Sequence, residues 1–278
     1  MSKVKITVPD LLARKTSGPK ISAITAYDST FARLFDEANV DILLVGDSLG
    51  MVVQGLENTL AVTLDEMIYH ARAVARTRPR AHLVVDMPFL TYQASVPQAV
   101  ASAGRVIKES GCEAVKLEGG AVIAPQVAAC VSAGIPVMGH LGLTPQSVHV
   151  FGGFRVQGKS SEAQERLMSD AEALQEAGAY AIVLEGIPAE VAAQITLAIR
   201  IPTIGIFAGP HCDGQVLVCY DMLGLQPDRQ FKFVKRYAEL GKATQAAVAK
   251  YVREVRSGQF PSADYCVTLE NSAASKEI

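Results

Sequence analysis

The chain alternates short apolar segments, rich in Val and Ile, with longer Ala-rich segments that have helical spacing. Each apolar segment is too short for a helix and too uniformly apolar for a strand that has one face in water. Such segments are typical of parallel strands that are covered on both faces. The pattern predicts eight strands, over residues 21–28, 40–48, 81–89, 113–120, 135–143, 180–187, 201–209 and 214–221.

Amphipathic segments between the strands predict helices. Thr63, with Glu66 three residues later, is a capping-box pattern and predicts the start of a helix. Another segment has Pro97 near its beginning and Gly111 at its end, which is the asymmetry expected of a helix. The predicted helices cover residues 30–39, 63–77, 96–111, 160–179, 188–199 and 230–257.

Eight strands with helices between most of them predict an α/β fold, a (β/α)8 or TIM barrel, as a single domain over residues 1–278. The irregular step lies between the seventh and eighth strands, where the chain is too short for a helix. A doubly wound open sheet is the alternative, but no GxGxxG motif opens a helix after the first strand. The polar segment 263–278 is expected to be a mobile C-terminal tail.

Composition narrows the classes of function. Hydrophobic residues make up 49% of the chain, which is enough for a large core. The 26 Lys and Arg against 28 Asp and Glu argue against a protein dedicated to nucleic acid. No apolar run is long enough to span a membrane, and the first residues do not resemble a secretory signal. The five Cys include no CxxC pair, so we expect reduced thiols in a cytoplasmic protein.

Acidic residues stand late in the predicted strands. Asp47, Asp86, Glu118 and Glu185 end four different strands, and Lys116 shares a strand face with Glu118. In a barrel these groups meet at the C-terminal rim, where barrel enzymes place their chemistry. Converging carboxylates need raised pKa values or a cation, and an all-oxygen ligand set favours Mg²⁺ over Zn²⁺. Such an ion suits a chelating 2-oxo acid, from which a further carboxylate can remove the proton beside the ketone.

Each of these residues also has a simpler interpretation when it is taken singly. An Asp or Glu at a strand end is usually a cap, a turn residue or a salt-bridge partner. His140, late in the fifth strand, and His82, at the entrance of the third, are by themselves expected to be structural. The functional hypothesis therefore depends on four acids on separate strands together with Lys116.

The motifs around these residues resemble the ketopantoate hydroxymethyltransferase family. The matching segments include GDSLGMVV, VKLEGG and MGHLGLTPQSV, and the resemblance runs from about residue 8 to about residue 262. It implies a (β/α)8 barrel of the phosphoenolpyruvate/pyruvate type that uses Mg²⁺ and forms a homo-oligomer, often a decamer. It also implies transfer of a hydroxymethyl group from 5,10-methylenetetrahydrofolate to 3-methyl-2-oxobutanoate, which gives 2-dehydropantoate and tetrahydrofolate.

The resemblance implies a role for each matching residue. Three residues are implied to bind the metal: Asp47, Asp86 and Glu118. Four residues are implied to contact the 2-oxo acid: Asp47, Ser48, Asp86 and Lys116. Glu185 is implied to be the proton acceptor, and His140 is implied to lie near the substrate.

The chain departs from the family's usual residues at Ala61, Phe207 and Tyr220, where Pro, Gly, and His or Gln are usual. Phe207 is expected to narrow the substrate pocket or to shift the local backbone. None of the three departures is one of the four acidic residues. We therefore expect them to affect the reaction rate and the fit of the substrate, and not the binding of the metal. Three other functions stay open: a metal-dependent carbon–carbon lyase on another 2-oxo acid, a Schiff-base aldolase through Lys116, and an inactive barrel that serves as an assembly partner.

Overall fold

The computed structural model describes residues 4–228, 231 and 233–267. Eight parallel strands pair in chain order and close into a barrel in which the first strand pairs with the last. The strands are β1 Ile21–Thr25, β2 Ile42–Val45, β3 His82–Asp86, β4 Ala114–Glu118, β5 Val137–Gly142, β6 Ala181–Glu185, β7 Thr203–Ile206 and β8 Gly214–Leu217. All eight predicted strands are present, and the closed sheet excludes the doubly wound alternative.

The helices are α1 Val8–Ala13, α2 Ser29–Glu37, α3 Leu49–Val52, α4 Leu64–Ala75, α5 Val96–Ser110, α6 Ala124–Ser132, α7 Val148–Phe151, α8 Ser161–Glu176, α9 Ala189–Ala198, α10 Cys219–Met222 and α11 Leu240–Arg256. Thr63 and Glu66 form the predicted capping box at the start of α4. Gly111 ends α5 with φ 80°, in the left-handed region that favours glycine. No helix lies between β7 and β8, as the short connection predicts.

Two of the longer helices differ from the prediction, and the short helices α1, α3, α7 and α10 are also missing from the predicted set. α6 is missing from the predicted set because its sequence, APQVAACVS, is apolar on nearly every face and lacks an amphipathic signal. The helix predicted over 230–257 begins only at Leu240, and residues 230 and 232 lie outside the described residues. The backbone amides of Tyr237 and Leu240 donate to the carbonyl oxygens of Met222 and Leu223, so this stretch pairs with another segment instead of a helical turn.

The described chain divides into two compact units. The first ends at Cys219 and contains the barrel, and the second begins at Tyr220 and contains α11. The single domain expected over residues 1–278 stays a prediction, and residues 268–278 of the expected tail lie outside the described residues. Within the described part, no helix has the length and apolar character that crossing a membrane requires.

The interior of the barrel changes character along the strands. One buried apolar cluster includes Val84, Ala114, Met138 and Val183. Side chains two positions apart point to the same face of a strand. The residues two positions later on these strands are Asp86, Lys116, His140 and Glu185. The apolar layers therefore support a layer of charged side chains at the C-terminal end of the barrel, where barrel enzymes carry out chemistry.

Candidate active site

A chain of charged side chains crosses the C-terminal end of the barrel from β3 to β6. Lys116 Nζ lies 2.9 Å from Asp86 Oδ1 and 3.1 Å from His140 Nδ1. His140 bridges two glutamates, because its Nδ1 lies 3.2 Å from Glu118 Oε1 and its Nε2 lies 3.2 Å from Glu185 Oε2. The Glu185 side chain is 21% exposed, whereas the other four are at most 5% exposed. The chain of charges therefore ends at a carboxylate that a substrate can reach.

Asp47 joins this cluster from the loop after β2, and its side chain is buried. Its backbone amide donates to Asp86 Oδ2 at 3.1 Å. A Cβ atom on Gly46 would lie 2.8 Å from Ser48 Oγ and 3.4 Å from Asp86 Oδ2, so glycine allows this close approach. The Ser48 hydroxyl lies 2.9 Å from the hydroxyl of Tyr27. The structure thus brings all of the sequence-predicted site residues to one end of the barrel.

Two buried residues outside the predicted set connect the acids. The backbone amide of Gln146 donates to Glu118 Oε2 at 3.0 Å, and its side-chain amide donates to Asp47 Oδ2 at 2.9 Å. The Tyr92 hydroxyl accepts from the backbone amide of Glu118 at 3.0 Å and lies 2.9 Å from Gln146 Oε1. The signal for Gln146 is a polar side chain four residues after the end of β5, in the segment LGLTPQSV. Tyr92 gives no comparable signal in the sequence.

Negative charge accumulates on the β2 and β3 side of the cluster. Burial, together with the carboxylates of Asp86 and Glu118, raises the pKa of Asp47 well above its usual range. Burial also raises the pKa of Asp86, although Lys116 acts in the opposite direction. Burial disfavours the charged form of Glu118 too, but His140 and Lys116 outweigh it and lower the pKa of that carboxyl. Asp47 and Asp86 are therefore the carboxylates that lack sufficient positive charge.

Both cationic side chains of the cluster are charged at neutral pH. Burial acts against the charged form of Lys116, but Asp86 and Glu118 outweigh it and raise the pKa of the ammonium group. Burial and Lys116 also act against a charged His140, yet Glu118 and Glu185 raise the pKa of its imidazole to about 9. Because a protonated amine is not a nucleophile, this cluster argues against a Schiff-base mechanism.

The donor set fits a hard cation held by two carboxylates. Among the described residues, no group of three or more His, Cys, Asp or Glu side chains is arranged to hold a metal ion. Both oxygens of Glu118 already lie near donors, whereas Asp47 and Asp86 have raised pKa values that a cation would relieve. Mg²⁺ usually takes one or two protein carboxylates, and water or substrate oxygens complete its shell. The assignment of the metal ligands stays a prediction.

Two large apolar residues at the rim have a left-handed backbone. Leu90, in the loop after β3, has φ 63°, and Phe207, directly after β7, has φ 51°. For a bulky residue this conformation costs on the order of 1–3 kcal/mol, and such strain is concentrated at functional sites. On β7, Ile206 pairs with Glu185 of β6, and Phe207 is the next residue along the chain. Phe207 therefore keeps a backbone conformation suited to glycine, and its effect on rate stays a prediction.

Comparison with known proteins gives relatives and structural neighbours. The model of the ketopantoate hydroxymethyltransferase family matches residues 5–263. The chain is 58% identical to 3-methyl-2-oxobutanoate hydroxymethyltransferase of Pelobacter propionicus over 261 residues, which are 94% of this chain and 97% of that protein. It is 51% identical to the Clostridium novyi protein of the same name over 273 residues, which are 98% and 99% of the two chains.

Two solved structures show the same fold at low sequence identity. Phosphonopyruvate hydrolase in complex with oxalate and Mg²⁺ has a TM-score of 0.61 and 14% identity, with 96% of this chain and 93% of that chain covered. A 2,3-dimethylmalate lyase of the PEP mutase/isocitrate lyase superfamily has a TM-score of 0.58 and 18% identity, with 95% and 92% covered. These neighbours confirm the (β/α)8 barrel fold, and the phosphoenolpyruvate/pyruvate type of barrel stays a prediction.

The two relatives and the family model cover nearly the whole chain, including every residue of the charged cluster. The protein is an enzyme that transfers a one-carbon group. It belongs to the ketopantoate hydroxymethyltransferase family.

Proposed function

We propose that this enzyme transfers a hydroxymethyl group from 5,10-methylenetetrahydrofolate to 3-methyl-2-oxobutanoate and gives 2-dehydropantoate and tetrahydrofolate. One water is consumed, because the donor carries its carbon at the oxidation level of formaldehyde and the product carries a hydroxyl group. The observation that carries the proposal is the series of contacts through Asp86, Lys116, His140 and Glu185. The names of the relatives support the same acceptor and the same transferred group.

The 2-oxo acid is held on the side of the cluster where Asp47 and Asp86 lie. When bound there, with Glu118 at its edge, Mg²⁺ would polarise the keto group of the acid. Lys116, which keeps its positive charge, faces the oxygen on which negative charge develops. The hydroxyl of Ser48 is oriented by its contact with Tyr27 and is available to the acid.

Glu185 removes the proton from carbon 3 of the bound acid. Its carboxylate is partly exposed and is held by His140 Nε2 at 3.2 Å. With a pKa of about 9, His140 stays protonated at neutral pH. It therefore stays paired with the Glu185 carboxylate before that carboxylate accepts the proton. Water releases the one-carbon unit from the folate as formaldehyde, with both C–N bonds broken and tetrahydrofolate left behind. The carbanion then attacks the formaldehyde carbon, and the resulting alkoxide takes up the proton that Glu185 removed and becomes the hydroxyl group of the product. A positioned general base of this kind typically contributes about 10²- to 10⁴-fold in rate.

Exchange of the carbon-3 proton with D₂O tests the role of the base without the folate. We expect Glu185→Gln to slow the exchange by about 10²- to 10⁴-fold, since the amide cannot accept the proton. Binding of Mg²⁺ should persist in this variant, because Asp47 and Asp86 are unchanged. The matched control is Glu172→Gln on the exposed surface of α8, which should exchange at the wild-type rate. Wild-type exchange in Glu185→Gln would reject the base role.

Product analysis separates this reaction from the other functions that the sequence leaves open. With Mg²⁺, the 2-oxo acid and the folate donor, we expect 2-dehydropantoate to form, and no product without the donor. Cleavage of another 2-oxo acid without the folate would indicate a lyase instead. Absence of both reactions in folded protein would indicate an inactive barrel. Borohydride should trap no adduct on Lys116.

We also propose that the enzyme forms a homo-oligomer in the cytoplasm, with ten chains as the family resemblance implies. Light scattering on the purified protein is expected to give about ten times the mass of one chain. A mass equal to that of a single chain would reject the proposed assembly and would leave the proposed reaction unaffected.

A further inference from the structure

We propose that Gln146 is a positioning residue that holds Asp47 in place for the cation and the 2-oxo acid. The inference rests on the proposed function, because that function assigns Asp47 to the binding of both. Gln146 lies in the short turn Pro145–Ser147 after β5 and is only 6% exposed. From there its side chain reaches the loop after β2, on another side of the barrel.

The side-chain amide of Gln146 has one orientation that satisfies all of its neighbours. Its oxygen accepts from Gln93 Nε2 at 3.0 Å and lies 2.9 Å from the Tyr92 hydroxyl. Its nitrogen donates to Asp47 Oδ2 and to the carbonyl oxygen of Met87, both at 2.9 Å. The opposite orientation would place the amide oxygen against a carboxylate and a carbonyl, and the amide NH₂ against another donor. The donor is therefore locked toward Asp47.

The backbone of the same residue holds a second acid. The Gln146 amide N–H donates to Glu118 Oε2, while the Tyr92 hydroxyl accepts from the backbone N–H of Glu118. Gln146 thus connects a carboxylate after β2 with a carboxylate at the end of β4. A shift of this one residue would move both carboxylates relative to Lys116, which lies between Asp86 and Glu118.

The choice of an amide has an electrostatic consequence. Asp86 is held by a cation, because Lys116 Nζ lies 2.9 Å from its Oδ1. Asp47 is held by a neutral donor, which fixes the carboxylate without supplying a compensating charge. Within residues 4–228, no hydrogen bond reaches the other oxygen of Asp47, Oδ1. Gln146 therefore orients Asp47 and leaves its charge and one oxygen available to a cation.

The test compares Gln146→Met with Gln126→Met. Gln126 lies in α6, is similarly buried at 8% exposed, and has an Oε1 atom without a hydrogen-bond partner. Methionine keeps the volume of the side chain and removes its hydrogen bonds. Mn²⁺, monitored by its electron paramagnetic resonance signal, reports the affinity of the site in the absence of substrate. We expect Gln146→Met to weaken Mn²⁺ binding by about 10- to 100-fold, and Gln126→Met to bind as the wild type does.

Two further variants keep the test decisive if Gln146→Met is poorly folded. Gln146→Asn retains the amide and the backbone bond to Glu118 but is one methylene too short to reach Asp47, and we expect it to weaken Mn²⁺ binding as well. Gln93→Met removes one donor to the amide oxygen and should weaken binding only slightly. Saturating Mg²⁺ should restore most of kcat in these variants while the KM for the 2-oxo acid stays raised, which a loss of folded protein would not produce.

Wild-type Mn²⁺ affinity in folded Gln146→Met and Gln146→Asn would overturn the positioning role. An equal loss of affinity in Gln126→Met would also overturn it, since the effect would then arise from general loosening of the fold. Failure of the proposed function is a separate result: wild-type protein would bind Mn²⁺ through Asp47 and still form no hydroxymethylated product.

Discussion

Both ends of the barrel carry acidic side chains that are buried or partly buried, but the two ends differ in charge balance. At the N-terminal end each acid has its own base, in the pairs Arg14–Asp41, Lys15–Asp213 and Lys5–Glu113. At the C-terminal end four acids share one lysine and one histidine: Asp47, Asp86, Glu118 and Glu185. Buried charge by itself therefore does not indicate a functional site, whereas unbalanced buried charge does.

The acids at the N-terminal end also serve the backbone. Asp41, Glu113 and Asp213 each stand one residue before a strand. Their carboxylates accept from the backbone amides that begin neighbouring strands, at 2.8–3.0 Å. Burial disfavours the charged form of Glu113, but its contacts with His82 and Lys5 lower its pKa on balance. These acids stabilise the fold, while the raised pKa values of Asp47 and Asp86 indicate that the ionised forms of these two rim acids cost stability.

The largest effect on stability is expected at the lysine of the rim. Lys116 is buried and faces Asp86 and Glu118, so Lys116→Met leaves buried carboxylates without their cation. We expect the free energy of unfolding to fall by about 3–5 kcal/mol in urea denaturation. Lys108→Met, on the exposed face of α5, is the matched control and should change stability little. A loss below about 1 kcal/mol for Lys116→Met would show that Lys116 does not balance the rim.

A comparable but smaller loss is expected at the other end of the barrel. Asp213 accepts from Lys15 Nζ at 2.9 Å and from the backbone amide of Thr203 at 2.8 Å. Asp213→Ala leaves both donors without a partner and should lower the free energy of unfolding by about 2–4 kcal/mol. The rate of carbon-3 proton exchange per folded enzyme should stay at the wild-type value. A selective loss of exchange would contradict a purely structural role for this end.

The pH dependence of stability tests the charge balance at the C-terminal end of the barrel, through the titration of His140. Its folded pKa of about 9 lies above the ordinary value of 6.5, because the glutamates on both sides favour the imidazolium. Its contribution to stability is complete below pH 6.5 and is lost as pH rises through 9. We expect the free energy of unfolding to fall by about 2 kcal/mol between pH 7 and pH 9.5, and His140→Asn to lack this decline. An equal decline in His140→Asn would show that the loss of stability at high pH does not arise from His140.

The smallest expected effect is a gain in stability, when Asp47 is replaced. Asp47 has a raised pKa in the folded state, so its ionisation costs stability as pH rises through that value. In metal-free protein at pH 7, we expect Asp47→Asn to raise the free energy of unfolding by about 1 kcal/mol while catalysis is lost. The gain should vanish near pH 4, where the wild-type acid is protonated. Destabilisation of Asp47→Asn at pH 7 would place Asp47 with the structural acids.

The sequence predicts the barrel well because each strand is a short, uniformly apolar run, and such runs admit few other structures. It predicts strand ends less well: the eighth run, 214–221, contains β8 up to Leu217 and then the helical turn α10. That turn begins at Cys219, whose backbone amide donates to the Thr25 hydroxyl of β1, a partner that lies 194 residues away in the chain. Contacts of this kind cannot be read from local sequence.

The predicted site residues also come together, since acids late in different strands share one rim. Their partners were harder to predict for a physical reason. His140 has an ordinary structural interpretation until its two ring nitrogens are seen to bridge Glu118 and Glu185. Gln146 and Tyr92 act through hydrogen bonds between separate loops, which neither spacing nor composition reveals. The sequence therefore identifies the charges, and the structure identifies what orients them.

The most direct measurement is the shift in thermal unfolding that Mg²⁺ produces. A cation that binds the rim acids of the folded protein should raise its Tm, and the rise should grow with the logarithm of the cation concentration once the site is saturated. We expect a clear Mg²⁺-dependent rise in the wild type and in Asp213→Asn, and none in Asp47→Asn or Asp86→Asn. An equal rise in all four proteins would contradict the claim that unbalanced acids at the C-terminal end of the barrel bind a cation.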